Sequence, residues 1–285
     1  MPSKVKLELI AEKEVELPRF TGYVSRGLLL TMLRRVEPTT SDRLHVPNAP
    51  KPYSVTPIRF RSQRKTPKGY LLDPSIPARV EFRLLSDEPV RRLLDYFADR
   101  AGVLVYDTEF KVASITIGSA TYEELESSEP TDAFRLLFRS PTYLSAMGSR
   151  FDLLYPDPVQ LFTSLLRLWD AFTTGMKYGP GGLEEYREWL RAHAGVTQHA
   201  LRTRLAEMAR KRAVGFTGWA TYTLDADDDW NRLTVTLARF AEYSNIGGNR
   251  TGGFGEIKFH KKPDEAINGR KRPTLPQQTG PNPTQ

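Results

Sequence analysis

The order of patterns along this chain predicts an α+β protein of two tandem ferredoxin-like (βαββαβ, RRM-like) domains, the second elaborated with extra helices. Three observations predict it. The first 120 residues read strand, helix, two strands, helix, strand. A similar alternation returns from residue 133, and the acidic, turn-rich stretch YEELESSEPTD (122–132) separates the two. The expected units are therefore 1–126 and 127–262, followed by a tail, 263–285, rich in Pro, Gln, Asn and Thr and expected to be disordered.

Each element has its own signal. VKLELIAEKE (5–14) begins with apolar alternation, which predicts a strand. In FTGYVSRGLLLTMLRRVEP (20–38), Phe20, Val24, Leu28, Met32 and Val36 recur every four residues, one face of a helix that Pro38 stops. YSVTPIRFRS and RVEFRLLS are β-rich, and Pro57 marks the first as an edge or bulged strand. EPVRRLLDYFADRAG is a helix with Pro89 in its first turn and Gly102 after its last. VLVY and FKVASITIG, joined by the turn DTE, close the half. In the second half AFRLLFRSPT (133–142) reads as a strand and DPVQLFTSLLRLWDAF (157–172) as an amphipathic helix begun by Pro158. GLEEYREWLRAHAG and TQHALRTRLAEMARKR read as two further helices parted by Gly195. VGFTGWATYTL is an aromatic-rich strand, DDDWNRLTVTLARFAEYS a helix with an acidic first turn, and GFGEIKFH the last strand.

Composition narrows the class of function. Of the 285 residues 39% are apolar and 26% charged, enough for a packed core. Zero cysteines exclude disulfides, thiolate metal sites and cysteine nucleophiles. No apolar run reaches the ~18 residues of a membrane helix, and the N-terminus lacks a signal peptide's apolar stretch. A soluble, cytoplasmic protein without a membrane partner is expected. The net charge of +7 favours polyanions. It is concentrated at Arg59, Arg61, Arg64, Lys65 and Lys68, with no acid among them, and at Arg202, Arg204, Arg210, Lys211 and Arg212, with Glu207 the one acid.

SNIGGNRTGGFGEIKF (244–259) holds five glycines within nine positions. A nucleotide cradle follows a strand and opens a helix; here a helix precedes and a strand follows, and no Gly-Lys-Ser/Thr occurs, so a P-loop or Rossmann site is rejected. Gly247 and Gly248 can be helix C-cap residues. Gly252, Gly253 and Gly255, around Arg250 and Phe254, instead predict close backbone approach to a phosphodiester, with Arg250 as a phosphate contact.

Four stretches carry a resemblance to a known family. ARFAEYSNIGGNRTGGFGEIKF, RSPTYLSAMG followed by PDPVQLFTSLLRLWDAF, GWATYTL, and GLLLTMLRRVEPTTSDRLHVPNAPKPYSVTPI together resemble the CRISPR-associated endoribonucleases that cut precursor CRISPR RNA within its repeats. These belong to the superfamily of repeat-associated RNA-binding proteins. The resemblance implies cleavage without metal or cofactor: the ribose 2′-hydroxyl attacks the adjacent phosphate and leaves a 2′,3′-cyclic phosphate and a 5′-hydroxyl. His45 falls where the family keeps its catalytic histidine, and Lys51 matches a lysine that assists in some members. Histidine suits proton transfer near neutral pH, and lysine suits the developing charge. Leu30 departs from members with a tyrosine there, which leaves a His/Lys pair, or Tyr23, Tyr53 or a nearby arginine in its place. RNA contacts are expected from Gly247, Gly248, Arg250, Gly252, Gly253, Gly255, Arg59, Arg61, Arg64, Lys65, Arg202, Arg210, Lys211 and Arg212. The implied partners are the repeat RNA and a CRISPR effector complex, for a monomer or homodimer. A related RNA-binding subunit that keeps the fold without catalysis is the alternative reading.

The remaining ionisable and aromatic residues are read blandly. His193 and His199 are expected to face solvent, and His260 to lie near RNA backbone. Asp225, Asp227, Asp228 and Asp229 precede a helix and read as caps, not metal ligands. Trp169, Trp189, Trp219 and Trp230 read mainly as core, with Trp219 also able to stack on a base.

Overall fold

The structure, a computed structural model, describes residues 1–44, 49–146, 148–208, 211–226 and 228–261. Strand β1 (Ser3–Ala11) shows the alternation written in its sequence: Val5, Leu7 and Leu9 are buried, while Lys4, Lys6 and Glu8 lie on the opposite face. After β2 (Glu16–Pro18) comes helix α1 (Gly22–Val36), which buries Val24, Leu28, Leu29, Met32 and Leu33. Pro38 ends α1 and starts a short helix, α2 (Pro38–Leu44), a position that suits proline because no N–H is needed there. Strands β3 (Tyr53–Val55), β4 (Ser62–Lys65), β5 (Gly69–Leu72) and β6 (Ala78–Leu84), helix α3 (Asp87–Asp99), and the hairpin β7 (Gly102–Val105) and β8 (Thr108–Ser119) complete the first half.

Five of these strands form one antiparallel sheet in the order β3-β6-β1-β8-β7. Its β3-β6-β1-β8 part has the ferredoxin-like order read from the sequence. A separate sheet, β2-β5-β4, carries the basic segment 62–65; the sequence reading made YSVTPIRFRS (53–62) one strand, but β3 ends at Val55 and β4 begins at Ser62. Proline at 57 explains the break, since it cannot donate to a ladder.

The second half opens with helix α4 (Tyr122–Glu126), capped by Thr121 and Glu124 in a reciprocal box. Strand β9 (Ala133–Thr142) leads to the small hairpin of β10 (Leu144–Ser145) and β11 (Asp152–Leu153). Helices α5 (Pro158–Phe172) and α6 (Gly179–His193) follow; Asp157 caps α5 by accepting from Gln160 N at 2.8 Å. Then come β12 (Ala194–Met208), β13 (Lys211–Leu224), helix α7 (Asp229–Ser244), a 3-10 turn (Arg250–Gly252) and β14 (Ile257–Lys261). The sheet order β12-β13-β9-β14 repeats the first unit's topology. Phe134, Leu136, Phe138, Ala220 and Tyr222 line its buried face and meet Phe162, Trp169, Leu237 and Phe240 of α5 and α7.

Two expectations are corrected. The segment TQHALRTRLAEMARKR is not a helix: its residues through Met208 extend β12, which pairs with β13 from Ala194↔Leu224 to Met208↔Lys211. Leu201, Leu205 and Met208 fall at helical spacing among good helix formers, but β13 offers a full-length backbone partner, and that long-range pairing outweighs propensity. Gly195 accordingly opens a strand instead of parting two helices. Trp219 is also not core. Trp169, Trp189 and Trp230 belong to the buried cluster or pack on it, whereas Trp219 is half-buried outside it.

The hairpin geometry and α1 yield a paired prediction. Gly218 has φ +126°, and a Cβ there would meet Ala200 O at 2.0 Å. Gly218→Ala should destabilise the protein by about 2 kcal/mol. Gly27, exposed within α1 with open space around it, should gain up to about 1 kcal/mol on change to Ala. Thermal unfolding of the two variants is expected to move in opposite directions.

Candidate nucleic-acid interface

Where the glycine-rich loop sits follows from how α7 ends. Its cap, Asn245, holds φ +56° and is fully buried. The side-chain amide donates to Val55 O at 3.0 Å and to Phe254 O at 2.8 Å, and its oxygen accepts from Arg83 Nη1 at 2.8 Å. One side chain thus joins β3 and β6 of the first unit to the loop of the second. The cap is asparagine, not the glycine pair anticipated for it.

Beyond Asn245 the loop is clamped by its own chain. Gly255 N donates to Pro141 O at 3.0 Å, Ile246 N to Gly255 O at 3.0 Å, and Gly248 N to Tyr143 O at 3.0 Å. Gly253, at φ +87°, lies against the start of α1, where an added Cβ would stand 2.6 Å from Gly22 Cα. Gly252, Gly253 and Gly255 are buried, so their close approach is made to the protein itself; Gly247 and Gly248 are half-buried against Tyr143. Phe254 packs edge-on to Phe20 and Tyr143, and this cluster also takes in Ala206 and Met208 of β12. Phe20, expected on the α1 face, therefore lies ahead of that helix and belongs to the junction.

Arg250 is half-buried, its guanidinium donating to Ser244 O at 2.6 Å and Lys51 O at 3.3 Å. Burial pulls its pKa down to about 10, which leaves it charged at neutral pH. It holds the main chain of Lys51 beside the loop. His45 lies outside the described residues, as do Arg210 and the Lys211 side chain. A hollow of about 220 Å3 opens between α5 and the loop, rimmed by Pro50, Ser164, Arg167, Gly247 and Arg250. Arg167, exposed on α5, was not singled out from the sequence because a lone arginine on an amphipathic helix carries no signal. Leu30 packs on the first core. The Tyr53 hydroxyl is buried near Arg26 and Thr251, with its pKa raised by burial. Tyr23 lies beside Tyr106.

The other expected cations divide between two surfaces. Arg202 and Arg212 are exposed along the β12–β13 hairpin, whose Met208 touches the loop through Asn249 Nδ2, 3.4 Å from its sulfur. Arg64 and Lys65 are exposed on β4. Arg59 and Arg61 line a cleft of about 530 Å3 between the two units. Eight lysines and arginines and three glutamates line that cleft, so it is a net cationic surface. Arg59 pairs with buried Glu256 at 2.5 Å, and Arg139 approaches the same carboxylate at 3.6 Å. Lys4 and Lys258 flank Glu242 at 3.5 and 3.1 Å. Burial pushes the Lys4 pKa down more than Glu242 raises it. Burial alone would raise the Glu242 pKa, but Lys4, Phe259 N–H and Lys258 together hold it below the usual carboxylate value. The Lys4 and Lys6 contribution was legible as the polar half of the β1 alternation.

Among the described residues, no three His, Cys, Asp or Glu side chains cluster in a way that could hold a metal, and no helix is long and apolar enough to cross a membrane. His193 Nδ1 lies 2.9 Å from Asp225, His199 packs edge-on to Tyr155, and His260 is exposed on β14. Asp228 caps α7, accepting from Asn231 N at 2.9 Å.

Residues 136–257 match the family described as CRISPR-associated endoribonuclease Cas6. A Cas6 endoribonuclease of Streptococcus thermophilus is 25% identical over 155 residues, 54% of this chain and 62% of that protein. One of Mycobacterium tuberculosis (strain ATCC 25618 / H37Rv) is 31% identical over 130 residues, 45% of this chain and 39% of that protein. The matches thus span less than two thirds of these relatives. Among solved structures, a Cas6 product complex superposes with a TM-score of 0.75 at 25% identity, covering 91% of this chain and all (100%) of that one. A Thermus thermophilus Cas6 gives 0.69 at 24% identity, covering 91% and 98%. A Cas6-related protein from Pyrococcus furiosus shares the fold at TM-score 0.63 and 13% identity, covering 92% and 100%.

The joint between the units is testable in two ways. Asn245→Ala leaves the Val55 and Phe254 carbonyls and Nη1 of the buried Arg83 without their partner. It should cost about 3 kcal/mol in denaturant unfolding. Glu242, whose pKa is depressed on folding, contributes stability that is present above the unfolded carboxylate pKa and is lost as pH falls through the folded value. Glu242→Gln should flatten the acid limb of the stability–pH curve relative to wild type.

Proposed function

We propose that this chain, which by sequence and fold belongs with the Cas6 family of CRISPR-associated endoribonucleases, cuts precursor CRISPR RNA once within each repeat and releases guide RNA. The observation that carries the reading is the likeness along nearly the whole chain to a Cas6 product complex. The cationic cleft, the basic hairpin and the clamped glycine loop fit a polyanionic substrate read mainly by backbone and shape.

The hollow between α5, Gly247, Arg250 and Pro50 is the place assigned to the scissile linkage. Pro50 is five residues from His45, a stretch that spans at most about 18 Å. A base removes the proton of the ribose 2′-hydroxyl, the 2′-oxygen attacks phosphorus, and the bond to the 5′-oxygen breaks as that oxygen is protonated. The products are a 2′,3′-cyclic phosphate and a 5′-hydroxyl, with no net change in water or redox state. His45 carries one of the two proton transfers. Lys51 stabilises the charge on the pentacoordinate phosphorus, its main chain held by Arg250. With Leu30 apolar and the Tyr53 hydroxyl enclosed, the remaining proton transfer falls to Tyr23 or a nearby arginine. The same vacancy favours one second reading: an RNA-binding subunit of a CRISPR effector complex that holds the repeat without cutting it.

Incubation with a synthetic repeat RNA in EDTA separates the readings. Wild type should yield products ending in cyclic phosphate. His45→Ala should cut about 10²- to 10⁴-fold more slowly while binding equally well, and Lys51→Ala about 100-fold more slowly. Tight binding with no product from wild type would favour the subunit, and undiminished cleavage by His45→Ala would remove the histidine from the mechanism.

A further inference from the structure

Each unit packs its helices on one face of its main sheet. In the second sheet, residues directly opposite in the antiparallel ladders share a face. Trp219 is paired with Leu137, and Leu137 with Lys258; in the next row Thr221 is paired with Arg135, and Arg135 with His260. The alternate residues Phe134, Leu136, Phe138, Ala220 and Tyr222 are buried under the helices, so these two rows lie on the opposite side, where Lys258 and His260 are exposed, Trp219, Leu137 and Arg135 half-buried, and Thr221 buried. Strand alternation places Trp219 and Thr221 on one face and Ala220 and Tyr222 on the other, and the register turns the second pair toward the helices.

The Trp219 indole is half-buried on that face. It joins none of the three hydrophobic clusters, in contrast to the other three tryptophans. The Arg135 guanidinium lies over its ring, 4.1 Å from the centroid, and is fixed by donation from Nε to Thr221 Oγ1 at 3.2 Å. A flat cation over a flat ring, steadied by a hydroxyl, is a ready stacking surface for a planar base. Lys258, one strand from Leu137 in the same row, also lines the cationic cleft between the units, so a phosphate track leads directly away from the platform.

We propose that the face of the second sheet opposite its helices, centred on Trp219 and Arg135, binds unpaired nucleotides of single-stranded RNA by stacking, with Lys258 and His260 meeting the adjoining phosphates. The inference rests on the reading of the protein as an RNA-binding nuclease and adds a second recognition surface, apart from the hollow at Pro50 and Arg250. Paired RNA is excluded from it, because bases inside an A-form stem present no face to a side chain. A single strand can splay its bases onto the sheet. Stacking of this kind tolerates any base, so the platform positions an unpaired segment without reading its sequence.

The test measures fluorescence anisotropy of labelled RNA with the full chain, using a short single-stranded polyadenosine and a blunt RNA duplex at one fixed salt concentration. Trp219→Ala should weaken single-strand binding about tenfold and leave duplex binding unchanged, and Trp219→Phe should retain most of the affinity. His260→Glu, an exposed change on the edge strand, supplies the same readout without removing the ring and should also weaken only the single strand. Equal single-strand affinity for wild type, Trp219→Ala and His260→Glu, each melting normally, overturns the platform while leaving repeat cleavage standing. Failure of wild type to bind either RNA would overturn the platform together with the nuclease reading.

Discussion

Asn245 is the constraint on which the rest of the molecule depends. It turns the chain out of α7 with a positive φ and, in the same step, bonds to a strand, a loop and an arginine from both halves. That joint, together with the Phe20–Phe254 packing and the Tyr122–Leu85 hydrogen bond, sets the two sheets against one another and so the width of the cleft between them. With it, Glu256 and Glu242 are brought within reach of Arg59, Lys4 and Lys258. The glycines complete the joint by letting the loop lie directly on the first turn of α1. Under the proposed function, substrate-facing chemistry is left to the loop's rim: Gly247, the Lys51 segment and the neighbouring hairpin.

Cations near the joint therefore serve two kinds of work. Arg83 and Arg250 are buried or half-buried and bonded to protein groups, so they hold geometry; their charge reaches a ligand only as field. Arg61, Arg64, Lys65, Arg202 and Arg212 are exposed and can neutralise phosphate directly. Sequence cannot separate these two classes, because an arginine beside glycines looks alike whether it binds a carbonyl or a phosphate. Arg250 was read from its neighbours as a phosphate contact; in the structure both bonds of its guanidinium go to main-chain oxygens.

The two repeated sheets were legible because each rests on short-range alternation: Val5, Leu7 and Leu9 in β1, or Phe134, Leu136 and Phe138 in β9. Helices α1, α3, α5 and α7 were legible from period and caps. The hairpin was lost because β12 takes its structure from its pairing with β13, as in Ala200↔Trp219 and Leu205↔Val214, while the apolar spacing of ALRTRLAEM taken alone reads as helical. Trp219 was misplaced for a related reason: which side of β13 faces the helices is settled by register, not by the tryptophan. The glycine loop was recognised as special, but its partner, Gly22, is more than two hundred residues distant, so its role as a joint could not be read from its neighbours.

The central claim is that the loop locks both units into one body in the free protein. Hydrogen exchange on the free protein tests it most directly. The amides of Ile246, Gly248 and Gly255 are bonded to Gly255, Tyr143 and Pro141 carbonyls, and on this account they exchange only through global unfolding, as slowly as the central strands β1 and β9. Exchange of those three amides within seconds, while the strand amides stay protected, would contradict it.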